Sequence, residues 1–195
     1  PDIASMTETG IGSARQALEA SNYQVQSINL ATTATISDEV AALVIDAPQN
    51  ALHEQEKKVV KEYLDRGGKV MLLIAQNRTA DLSDILAPYG LQIGNGIAID
   101  AGQALPRQPF VPVITSYPEF NPIVRDLQSG KQAVLLPIAT QIGVAPQLPA
   151  GVAVTRLLET TEQSWLATDD KDINYHQGDV QGPLTLAVAV TADAK

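Results

Sequence analysis

Along the first hundred residues the apolar positions follow two repeats, one of period two and one close to 3.6, the signatures of half-buried strands and amphipathic helices. Residues 3–6 (IASM) predict a short strand, and 7–13 (TETGIGS) a glycine-bearing turn. A helix is expected over 13–21, where Ala14, Ala17 and Leu18 recur at helical spacing. Residues 23–30 (YQVQSINL) alternate as a half-buried strand does, and 40–45 (VAALVI) form the unbroken apolar run of a strand covered on both faces. The clearest helix is expected over 52–66. Leu52, Val59, Val60, Tyr63 and Leu64 share one face there, and most of the charges lie away from it. Gly67-Gly68 supplies a left-handed stop. The run 69–74 (KVMLLI) predicts the next strand, 81–89 (DLSDILAPY) a short helix closing at Gly90, and 97–99 (IAI) a strand that runs into Asp100.

The second half follows a different pattern. Eight of the twelve prolines fall between Pro106 and Pro149 and break the periodicity, which predicts extended segments and turns. A short helix is expected over 121–127, with Pro122 in its first turn, and strands over 133–138, 151–158 and 183–190. Strands alternating with helices imply a largely parallel sheet with helices on both faces. The expectation is therefore an α/β fold, Rossmann-like or flavodoxin-like, with an irregular, Pro-rich, strand-containing second half. With no linker in view, 1–195 is read as one domain, regular βα units over 1–102 and an irregular continuation completing the sheet over 103–195. In such sheets ligands bind beyond the carboxyl ends of the strands, which singles out the turns at 7–13, 46–50, 75–79 and around Asp100.

Composition narrows the function. At 195 residues, 45% hydrophobic and 18% charged, the chain has enough apolar material for a sizeable core. Its formal net charge of −9 argues against nucleic acid, whose phosphates call for clustered Lys and Arg, and against a polybasic membrane surface. With no Cys there are no disulfides, thiolate metal sites or Cys nucleophiles. No apolar run approaches the ~20 residues needed to cross a bilayer. The start at Pro1, without an initiator Met, reads as an excised or processed piece.

Several residue groups carry candidate chemistry. In the first turn, backbone N–H groups around Gly10 and Gly12 could cradle an anion at a helix start, and T-x-T-G-x-G-S resembles the phosphate turn of flavodoxins. The plainer reading is that Gly10 and Gly12 make the turn and Ser13 caps the helix. His53, three residues before Glu56, reads as a helix-start residue, and His176 lies far off in a polar segment. Two scattered His and no Cys give a transition metal little to bind. From Asp170 the acidic stretch matches the first three ligand positions of an EF-hand loop, then departs at Tyr175 and Gln181, and reads as a solvated loop. No G-x-S-x-G elbow is present, and no spacing groups Ser, His and Asp. Trp165, the single Trp, reads as a core or interface anchor, with sugar stacking as the alternative. No cofactor, metal or catalytic residue is assigned.

Taken in order, a set of short elements resembles one family. These are LVIDAP at 43–48, then Tyr63-Leu64-Asp65-Arg66-Gly67-Gly68 with KVMLLI, then Leu86-Ala87-Pro88-Tyr89-Gly90 and Ile97-Ala98-Ile99-Asp100. Asn121-Pro122-Ile123, the stretch from Leu157 to Trp165, and Gly182-Pro183-Leu184 followed by LAVAV complete the series. They are similar to the GldG-like auxiliary subunits of uncharacterised, gliding-motility-associated ABC-type transport systems, over roughly Met6 to Val190. The family's Gly-His-Gly-Glu turn is Thr7-Glu8-Thr9-Gly10 here, its His before Pro-Ile is Asn121, and its Gly before Pro48 is Ala47.

The resemblance implies a non-enzymatic domain outside the cytoplasmic (periplasmic side) membrane, anchored by segments absent from this chain and working with an ABC-type permease and ATPase. It would act by partner docking, ligand binding or both. A carbohydrate-binding module is the alternative, with Thr7, Glu8, Asp46, Gln76, Asn77 and Asp100 bonding sugar hydroxyls at the strand ends. A flavodoxin-like cofactor protein, with phosphate held by Thr7, Thr9, Gly10, Gly12 and Ser13, ranks third.

Overall fold

The computed structural model describes residues 3–5, 10–48, 50–74, 81–169 and 171–194. Contacts divide the chain into two compact units, one built on Pro1–Ile74 and the other on Asp81–Asp193. Twelve strands and four α-helices are present among the described residues, and no helix among them is long and apolar enough to cross a membrane.

In the first unit, α1 (Gly12–Ala20) is followed by β1 (Leu43–Asp46), α2 (Glu54–Asp65) and β2 (Val70–Leu73). Helix α2 forms where the amphipathic pattern placed it. Glu56 in its first turn accepts the His53 N–H at 2.8 Å, closing one side of a capping box. Its apolar face, Val59, Val60 and Tyr63, is buried, and the Tyr63 hydroxyl donates to Val40 O at 2.7 Å. Gly67, at φ +82°, takes the left-handed conformation that lets the Gly68 N–H turn back to Tyr63 O at 2.8 Å. Strands β1 and β2 pair in parallel, Leu43 opposite Val70 and Asp46 opposite Leu73. Leu43 and Ile45 are buried, whereas Val44 and Met71 on the other face are exposed.

Several expectations fail in this unit. Residues 3 and 4 form a turn rather than a strand. The alternating stretch 23–30 joins no ladder, because Tyr23 and Ile28 face solvent and no neighbouring strand lies beside them to give the alternation a buried side. Helix α1 starts at Gly12 with Ile11 at its N-cap, so Ser13 is not the cap, and Gly12 is its one buried residue.

The second unit contains α3 (Ser83–Leu86), continued by a 3-10 turn over Ala87–Tyr89, then β3 (Leu91–Ile93), β4 (Ile97–Asp100), β5 (Ala104–Leu105) and β6 (Gln108–Ile114). There follow α4 (Arg125–Ser129), β7 (Val134–Leu135), β8 (Ile142–Val144), β9 (Val152–Glu159), β10 (Ser164–Ala167), β11 (Val180–Gln181) and β12 (Thr185–Ala192). Its ladders are all antiparallel and small, in the orders β11-β10-β4, β5-β6-β7, β3-β8 and β12-β9.

This corrects the expected fold class. The protein is mostly β, built of small antiparallel sheets, with no large parallel Rossmann-like or flavodoxin-like sheet among the described residues. The error has a physical source. All four residues of β4 are buried, Ala98 packing with one cluster (Ile114, Leu157, Leu166, Leu184) and Ile97 and Ile99 with Ala167 in another. An apolar run reports burial on two faces but says nothing about strand direction. β4 pairs antiparallel with β10, Asp100 opposite Ser164 and Ile97 opposite Ala167. Strand β6 crosses the Pro-rich segment with Pro109 and Pro112 inside it, and Pro112 still serves as an acceptor, its carbonyl taking the Leu136 N–H at 3.1 Å.

Leu184 has no exposed surface and sits where β12 begins, against β4 and β10. Leu184→Ala is expected to cost about 3 kcal/mol, read as a lower urea midpoint at unchanged slope. A loss within about 0.5 kcal/mol would show that this cluster is not the core of the unit.

Candidate functional site

The strand-end position that the sequence singled out most clearly is Asp100, and β4 delivers it to the interior with 1% of its surface exposed. Its carboxylate is engaged within the chain. Oδ1 accepts the N–H groups of Gly102 (2.9 Å) and Gln103 (3.0 Å) and the Thr161 hydroxyl (2.6 Å), and Oδ2 accepts the Thr161 N–H (2.9 Å). A carboxylate offers about four lone-pair directions, so four donors match its capacity. Asp100 thereby fixes two turns at once, the one after β4 and the one between β9 and β10.

A second set of hydroxyls extends this network. The Ser164 hydroxyl donates to Thr161 O at 2.7 Å, so across the 2.6 Å contact between Thr160 Oγ1 and Ser164 Oγ it is Thr160 that donates. Thr160 Oγ1 in turn accepts the Leu184 N–H at 2.7 Å, and Leu184 O accepts the Thr160 N–H at 3.0 Å. The start of β12 is thus tied to the same corner. Thr161 went unnoticed in the sequence. The available signal was a Thr-Thr pair between two strand patterns, followed by a Ser three residues later, at the point where a turn must satisfy its own N–H groups.

Beside this corner, the turn after β4 and the β5–β6 hairpin enclose an open groove of about 400 Å³, lined by Gln103, Leu105, Pro106, Arg107 and Pro109 among others. The Gln103 amide donates to Thr115 Oγ1 at 2.8 Å. Leu105 pairs with Gln108, leaving Pro106 and Arg107 as a two-residue loop with Arg107 at φ +66°. That is the position a type II turn normally gives to Gly, so the loop presents the Arg107 side chain from a strained backbone.

The other sequence-derived candidates fall elsewhere. Thr7, Glu8, Gln76 and Asn77 lie outside the described residues, as does Thr9. Gly10, Gly12 and Asp46 belong to the first unit and Asp100 to the second. The Gly12 N–H donates to Ser5 O at 2.8 Å, so that donor closes the turn. No group of three or more His, Asp or Glu among the described residues is arranged to hold a metal. Trp165 donates its indole N–H to Ile173 O (3.0 Å) and meets Tyr175 edge-on at 6.1 Å, pinning the loop between β10 and β11.

With this geometry in place, comparison with known proteins gives the family. Residues 3–195 match the family described as an ABC-type uncharacterized transport system. The chain belongs to this family. It is thus an auxiliary ABC-type transport-system component, whose partners lie in the same transport system. Among solved structures it is similar to one described as the mmIFT52 N-terminal domain, at 19% identity and a TM-score of 0.61, covering 81% of this chain and 73% of that one. That likeness is one of fold. No curated protein matches.

Two predictions follow from the site. Asp100→Ala leaves the buried N–H groups of the two turns without an acceptor and should destabilise the second unit by about 3–5 kcal/mol in chemical denaturation. A loss below about 1 kcal/mol would mean that the carboxylate does not organise those turns. The second concerns the β10–β11 loop. Asp172 accepts the Asn174 backbone N–H (3.1 Å) and side-chain amide (2.8 Å) and lies 3.3 Å from His176 Nε2. The Asn174 donors first, and then the His176 charge, hold its carboxyl below the usual 3.8. A lowered folded-state value means that its contribution to loop order is complete above about pH 3.8 and is lost as the pH falls through the lower value. Trp165 emission should therefore be flat down to that range and then move to the red, and Asp172→Asn should abolish the step. An unchanged acid step in the variant would contradict this.

Proposed function

We propose that this chain is a non-enzymatic accessory domain held on the extracytoplasmic side of the membrane, acting by docking to the ATPase–permease assembly of its transport system. Membership of the transport-system family over residues 3–195 is the observation that carries the reading. The use of Asp100 supports it: the carboxylate best placed for chemistry is buried and engaged by four donors, an arrangement suited to holding shape. The test is co-purification of the tagged full-length protein with the permease and ATPase encoded beside it. Stoichiometric recovery of both is expected. Recovery of neither from membranes that contain all three would overturn the reading.

The groove beyond β4 favours a second reading, carbohydrate binding. It lies at a strand end, is polar, and falls within the roughly 300–1,000 Å³ of small-ligand sites. Gln103 and Arg107, rather than Asp100, would make the contacts. A thermal-shift screen of mono- and oligosaccharides should then give a shift of several degrees for a ligand at about a hundred times its dissociation constant, and Arg107→Ala should remove it. A flat response across the screen would leave docking as the sole reading.

A further inference from the structure

Two large apolar side chains of the second unit are displayed where solvent gives them no reward. Phe120 is 90% exposed and Ile123 is 64% exposed, on the segment that joins β6 to α4. The segment is not loose. The hydroxyl of buried Tyr117 lies 2.7 Å from Gln132 O and 2.9 Å from Ile114 O, fastening the segment at its start. Val124 is buried at its end, and the Asn121 side chain accepts the Ile123 N–H at 2.9 Å between them. Phe120 itself sits at φ +62°, a left-handed conformation that costs a bulky L-residue roughly 1–2 kcal/mol. A strained backbone that holds an aromatic ring out into water, between two buried anchors, is the form of a preorganised binding knob.

We propose that Phe120 and Ile123 form the contact by which this domain docks into an apolar pocket on a protein subunit of its transport system. This rests on the docking reading above and adds the surface and the chemistry of its partner. Charge and size select the occupant. The charged groups of the segment are Glu119, an Arg125–Asp126 pair at 3.4 Å, and Lys131, which cancel. Nothing there draws the knob to anionic lipid headgroups, and the net charge of −9 on the chain repels them. Two side chains are also too little apolar surface to hold a domain of this size on a bilayer. A single ring in a closed pocket is different, since one fully desolvated aromatic anchor can dominate a protein interface. A second copy of the chain is a poor occupant, because it brings the same negative charge and the groove described above is polar.

The test places a photo-crosslinking phenylalanine analogue at position 120 of the full-length protein, co-expressed with its permease and ATPase. A crosslink to one of those subunits is expected. The double variant Phe120→Ala/Ile123→Ala should lower their co-purification at least about tenfold while leaving the thermal midpoint unchanged, because both side chains are exposed. Phe120→Gly, which removes the ring and relaxes the backbone, should lose binding equally. Crosslinks only to lipid, with matching binding to phosphatidylcholine–phosphatidylglycerol vesicles, or only to a second copy, would overturn the proposal. Full co-purification of the double variant would overturn it and leave the docking reading standing. Failure of the wild-type protein to recover either subunit would overturn both.

Discussion

A carboxylate carried into the interior by a fully buried strand must find donors there, and Asp100 finds four. That requirement organises the second unit. The turn after β4 bends so that two successive N–H groups reach Oδ1. The turn between β9 and β10 brings Thr161 to both oxygens, which sets Ser164 opposite Asp100 in the antiparallel ladder. Thr160 and Ser164 carry the same bonding on to Leu184, so β12 starts at the same corner. Strands far apart in sequence are joined there by side-chain bonds to main-chain groups, in a region where small ladders alone would be marginal.

Much of the local structure was legible in the sequence, and the reasons differ by element. Helix α2 was readable because its apolar stripe, the Glu56 cap and the Gly67 stop all point to one answer. β2, β4, β9 and β12 were readable as apolar runs. What the sequence could not show was pairing. The run 97–100 looks the same whether its neighbour is parallel or antiparallel, and its partner lies beyond a long Pro-rich stretch. Strand β6 was hidden because Pro109 and Pro112 argue against a strand, yet both are accommodated. The stretch 23–30 misled in the other direction, with strand-like alternation and no partner.

The candidate site shows the same division. Asp100 was correctly placed at a strand end, but a strand-end acid that binds a ligand and one that binds its own turns have the same sequence. Only Thr161, sixty-one positions away, separates the two cases. Phe120 was invisible as a surface feature because an isolated Phe in a Pro-rich segment reads as core. The auxiliary role of the family and the geometry of the second unit fit one picture: a corner locked from within by polar bonds, and a short segment held rigid so that it can present apolar groups outward.

The central claim is that the Asp100 carboxylate serves the fold and not a ligand. Native-state amide hydrogen exchange on the wild-type protein tests this most directly. The amides of Gly102, Gln103 and Thr161, although they lie in turns, should exchange as slowly as those of β4 and β10, opening only with the unit as a whole. Exchange at the rate of exposed loops would show that the carboxylate is not holding them, and the account would fail.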